Sequence, residues 1–76
     1  MEQQAIRQLD VRWLQPPEPF EHIMRALQQL PPDTTLLVHI HREPFPLYDV
    51  LRDEGYAWQT AALADGCFDI RISRPA

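Results

Sequence analysis

His39 and His41 stand two residues apart in an apolar stretch, a spacing that on a β-strand projects both imidazoles from one face, where they could share a metal ion. Two ligands are too few for a tight site. Asp69 is the carboxylate a neighbouring strand could add, and otherwise both histidines read as polar residues on the open face of a one-sided sheet. Cys67 is the one thiol nucleophile, next to a turn and not at a helix start where its pKa would fall. Asp53 and Glu54 read as a solvated helix face, because an acid/base pair needs burial to shift a carboxyl pKa. Arg12, His41 and Arg42 could receive an anion, with Trp13, Phe45 and Tyr48 as a flat apolar surface beside them. No catalytic residue and no cofactor is expected.

Composition narrows the classes. The chain has 76 residues, a length that makes one small domain over residues 1–76, and its 45% hydrophobic and 24% charged residues are those of a globular protein. No apolar run approaches the roughly 20 residues of a membrane helix, and the polar start Met1-Glu2-Gln3-Gln4 lacks the pattern of a signal peptide, so a cytoplasmic protein is expected. The net charge of −4 disfavours nucleic acid. All seven basic residues are arginine, which excludes a side-chain Schiff base. Gly55 and Gly66 are the only glycines, too few for a phosphate-binding glycine loop.

The elements that must position these residues follow from two alternating periods. Ala5 to Val11 reads as a strand, and Phe20, Ile23, Met24, Leu27 and Leu30 recur at helical spacing over about Pro17 to Leu30. Pro31-Pro32-Asp33 ends that helix. Thr35 to His41 reads as a strand with Leu36, Val38 and Ile40 on one side and Leu37, His39 and His41 on the other. A shorter helix with Leu47, Val50 and Leu51 on one face ends at Gly55. Tyr56 to Ala62 and Cys67 to Arg74 form a hairpin. A three-residue loop Ala64-Asp65-Gly66 is preferred over a two-residue one, because it puts Trp58, Thr60 and Ala62 beside Ile72, Ile70 and Phe68. The fold expected is an α/β (α+β) two-layer sandwich, β-α-β-α-β-β, with a four-stranded mixed sheet and two helices on one face.

The stretch Leu9-Asp10-Val11-Arg12-Trp13-Leu14-Gln15-Pro16-Pro17-Glu18-Pro19 resembles the L-D-x-x-G-L-x-C-P-x-P signature of the TusA/SirA-like sulfur carriers. Pro16 stands where those carriers have their reactive cysteine, and Trp13 stands where they have a glycine. The resemblance therefore implies their two-layer fold without their persulfide chemistry, and leaves the conformation of the loop at Trp13 open. With the second segment His41-Arg42-Glu43-Pro44-Phe45-Pro46-Leu47, the chain is closer to an uncharacterised bacterial branch that lacks the cysteine. That likeness implies a redox or respiratory context.

Parallel first and second strands open their C-terminal ends on one edge, so the loops Arg12 to Pro19 and His41 to Pro46 should lie side by side with both helix N-termini aimed between them. The ligand-binding residues expected at this crevice are Arg12, Trp13, Glu18, His41, Arg42, Glu43 and Tyr48, with no metal among them. The other account is that the prolines stiffen two tight loops and the arginines pair with Glu18 and Glu43. Three classes of function compete. The leading one is a noncatalytic binding or regulatory module for a protein or small anionic ligand, a monomer or weak homodimer without a membrane partner. The alternative is a thiol or sulfur relay through Cys67. The third is nucleic-acid binding, suggested by a fold like the C-terminal domain of a bacterial translation initiation factor and opposed by the acidic charge.

Overall fold

The computed structural model describes residues 5–74, and the polar start Met1–Gln4 lies outside them. The elements run β1 (Ala5–Asp10), α1 (Glu18–Gln28), β2 (Thr34–Ile40), α2 (Phe45–Asp53), β3 (Ala57–Ala62) and β4 (Phe68–Ser73). They form one mixed four-stranded sheet in the order β1-β2-β4-β3, with β1 and β2 parallel and β4 antiparallel to both β2 and β3. This is the β-α-β-α-β-β architecture that the periodicity predicts, with the element ends moved by one or two residues.

Strand alternation and helical spacing build one core. Leu36, Val38, Ile40, Ile70 and Ile72 project from one face of the sheet and pack with Ile23, Leu27, Leu47 and Leu51 of the helices. The helix stripe is centred differently from the expected one. Pro19, Ile23 and Leu27 form the buried line of α1, whereas Phe20 stays 38% exposed at its edge. Burial of this kind stabilises by about 25 cal/mol per Å² of apolar area removed from water.

The hairpin takes the three-residue loop. Trp58 pairs with Ile72, Thr60 with Ile70 and Ala62 with Phe68. Leu63 N–H donates to Cys67 O (2.8 Å), Gly66 N–H donates to Leu63 O (3.1 Å), and Gly66 sits at φ +88°, a left-handed position that a residue with a Cβ adopts only with strain. Asp65 Oδ1 accepts from the Cys67 N–H at 2.9 Å and closes the turn.

Candidate functional site

The loops that leave β1 and β2 do lie side by side. Parallel pairing of Asp10 with His39 puts both strand ends on one edge, and Val11 N–H donates to His39 O (2.9 Å), so the first loop leaves directly over the second strand. Between the two helix starts is a crevice of about 420 Å³ lined by Pro16, Pro17, Pro19, Phe20, Ile23, Ile40, His41, Arg42, Glu43, Pro44, Pro46 and Leu47. That volume is in the range of small-ligand pockets, roughly 300–1,000 Å³. Nine of the twelve lining residues are apolar and five are prolines, so the walls are stiff and suited to an apolar group.

Its helix N-termini offer little to an anion, contrary to the sequence expectation. In α1, Glu18 N–H donates to Gln15 O (2.9 Å) and Glu21 N–H to Pro17 O (3.1 Å), while Pro19 has no N–H. In α2, Phe45 N–H donates to Glu43 O (3.1 Å) and Leu47 N–H to Pro44 O (2.9 Å), and Pro46 again has none. The turns and the prolines remove most of the donors that make a helix start an anion site.

The seven residues expected to bind a ligand separate into two groups. His41, Arg42 and Glu43 line the crevice. Glu43 Oε2 accepts from the Tyr48 hydroxyl at 3.1 Å, and that hydroxyl lies 2.6 Å from Thr60 Oγ1. Tyr48 also stacks on Trp58, with centroids 5.4 Å apart, so it braces Glu43 from behind the crevice and does not line it. Burial, foremost, raises the Tyr48 pKa above the ordinary phenol value, which keeps the hydroxyl a donor. Arg42 is exposed and, among the described residues, has no ion pair or hydrogen bond. Glu18 is an exposed residue of the first turn of α1 outside the crevice.

Arg12 and Trp13 leave the crevice altogether. Arg12 grips Asp10, with Nε to Oδ1 at 3.0 Å and Nη2 to Oδ2 at 2.8 Å. The side-chain hydrogen bonds from Arg12, ahead of its backbone N–H, hold the Asp10 carboxyl at about 2. Arg12 therefore pairs with Asp10 and not with Glu18. Trp13 is 73% exposed and takes φ +70°, the left-handed backbone that the glycine of the resembled signature would adopt freely. His41 supports it there: Trp13 N–H donates to His41 Nδ1 (3.0 Å) and the two rings stack at 5.2 Å.

That contact also separates the two histidines. His41 lies past the end of β2 and is engaged by Trp13, while His39 donates from Nδ1 to Asp69 Oδ1 (2.7 Å) with Nε2 3.1 Å from Gln8 Oε1. His39 and Asp69 are cross-strand partners, as the sequence suggested, but their geometry is that of a hydrogen-bonded pair. Among the described residues no three His, Cys, Asp or Glu side chains gather around one point that could hold a metal ion. Cys67 is buried, at 3% exposure, and its pKa is raised first by burial and then by Asp65, which disfavours the thiolate a nucleophile needs.

No helix of the described residues is long and apolar enough to cross a membrane. A family model described as an uncharacterized conserved protein (DUF2249) matches residues 8–74. No curated protein and no solved structure matches the chain.

Proposed function

We propose, for a chain that belongs to the uncharacterised conserved protein family DUF2249, a noncatalytic binding module whose working surface is the crevice between the loops after β1 and β2. The observation that carries this reading is a stiff, apolar crevice of about 420 Å³ with Arg42 on its lining, a guanidinium that has no ion pair or hydrogen bond among the described residues. An apolar group that ends in a carboxylate fits that combination better than a bare inorganic anion, because the wall is mostly carbon and most of the helix-start N–H groups are bonded or replaced by proline. Arg42 would pair with the carboxylate, while Glu43 is held by the Tyr48 hydroxyl and makes no ion pair with Arg42.

The reading is noncatalytic because the groups with chemical potential are tied to each other: Arg12 to Asp10, His39 to Asp69, and Cys67 buried. Kinship with the TusA/SirA-like carriers is part of the proposal, supported by the Leu9-Asp10 to Pro17-x-Pro19 frame and the shared element order. Pro16 has no thiol, so the persulfide role of that position would not carry over.

Titration with octanoate, octanol and inorganic phosphate, followed by methyl and amide NMR, tests the site. Octanoate should shift Ile23, Ile40 and Leu47 most, octanol less, and phosphate little. Arg42→Ala should reduce octanoate affinity by about tenfold, the loss of one charge-assisted contact. If neither octanoate nor octanol moves these methyl groups, the crevice reading fails. A response to phosphate alone would replace it with an anion site.

A further inference from the structure

The sheet has two edge strands, and only one of them is protected. β1 carries Arg7, whose guanidinium reaches Gln29 O (3.5 Å), and Asp10, paired with Arg12. Charged residues on an edge oppose the addition of another strand. β3 reads Ala57-Trp58-Gln59-Thr60-Ala61-Ala62 and continues through Leu63 and Ala64, with no charge and no proline. Five of the six β3 residues are exposed.

The hairpin turn fixes which of its backbone groups point outward. Leu63 N–H bonds inward to Cys67 O, and in an antiparallel ladder the bonded pairs alternate with non-bonded ones. Ala61, Gln59 and Ala57 therefore bond to β4, while Trp58, Thr60 and Ala62 turn their N–H and C=O groups to the free edge.

We propose that β3 is a self-association edge, at which two copies of the chain pair antiparallel about a two-fold axis through Thr60. This register uses all three outward-directed residues. Thr60 meets the partner's Thr60, and Trp58 meets the partner's Ala62. It also sets a large side chain against a small one at every other position: Gln59 opposite the partner's Ala61 and Leu63 opposite the partner's Ala57. That reciprocal fit is why a second copy is the occupant: a two-fold interface must match itself, and this strand does. The contact is small and each chain carries net charge −4, so association is weak and strengthens as salt screens the repulsion.

Sedimentation equilibrium of the purified chain over a wide concentration range, at low and high salt, reads the association. Amide hydrogen exchange locates it. The expected result is a monomer–dimer equilibrium favoured by salt, with Trp58, Thr60 and Ala62 amides gaining protection as concentration rises while Gln59 and Ala61 amides are protected throughout. Ala61→Lys places a charge on this edge and should weaken dimerisation by about tenfold or more, whereas Ile6→Lys on β1 should leave it unchanged. A monomeric mass up to the solubility limit overturns the proposal. So does a dimer whose new protection lies on β1, or one weakened by Ile6→Lys and not by Ala61→Lys. The wild-type exchange pattern decides the matter even if a variant fails to fold.

Discussion

The crevice and the uncovered face of the sheet are fed by the same two loops, yet they differ in what is left unpaired. On the uncovered face, Asp10, His39 and Asp69 fall in one register row, and each of these three has a partner: Arg12 for Asp10, and Asp69 for His39 with Gln8 beside it, while the exposed Arg71 farther along β4 has none among the described residues. In the crevice the wall is proline, isoleucine and leucine, and Arg42 has no partner among the described residues. Polar groups that satisfy one another build a rigid surface with little left to offer a ligand, whereas an apolar cleft with an unbonded guanidinium keeps its binding free energy in reserve. Residue type alone would rank the uncovered face first as a site, and the proposed function rests on pairing to rank the crevice above it.

Substitutions can break or sharpen this contrast. The largest effect is expected from Leu47→Ala, because Leu47 is both crevice wall and fully buried core: a loss of about 2–5 kcal/mol in chemical denaturation. A cost below about 1 kcal/mol would mean that the crevice is not built on the core. Asp69→Ala removes the acceptor from His39 and should cost about 1 kcal/mol, with octanoate shifts at Ile23 and Ile40 unchanged. A change in those shifts would show that the two regions are coupled.

A smaller effect is expected at Trp13. Trp13→Gly relieves a left-handed backbone worth about 1–2 kcal/mol and forfeits a ring stack of about 0.5–1.5 kcal/mol, so unfolding stability should move by less than about 1 kcal/mol. His41→Ala should then cost less in that background than in the wild type, and equal costs would mean that His41 does not support the Trp13 backbone. The smallest effect concerns pH. The Asp10 carboxyl is held at about 2 against an ordinary value of 3.8, so its stabilisation is fully present above about pH 4 and is lost as pH falls toward 2. Both groups are exposed, so the slope is shallow. Arg12→Ala should flatten it, as thermal melts between pH 2 and 5 would record.

Much of the fold was legible in particular residues. Leu36, Val38 and Ile40 alternate because a strand has period two, and burial of Trp58 with the isoleucines selected the three-residue loop, with Gly66 left-handed, that aligns Trp58 with Ile72. The neighbouring positions of His39 and Asp69 were legible for the same reason, since register follows from burial of one face. The crevice was legible as a place and not as a chemistry. Parallel strand topology signalled where it lies, but its prolines withdrew helix N–H donors from an anion, an effect visible only once the turn hydrogen bonds were known.

What the sequence determined by itself is therefore what local sterics and hydrophobic period control: the order of elements, the hairpin register, the sharing of one edge by two loops, and the absence of a thiol at Pro16. Only the tertiary structure decided which partner each polar group takes. Arg12 turns to Asp10, His41 accepts from Trp13 and holds a tryptophan in a glycine-like backbone, and Tyr48 restrains Glu43 while Arg42 has no partner among the described residues. Pairing of this kind is a competition settled by distance and geometry in the folded chain, among near and distant residues alike, and spacing alone does not encode its outcome.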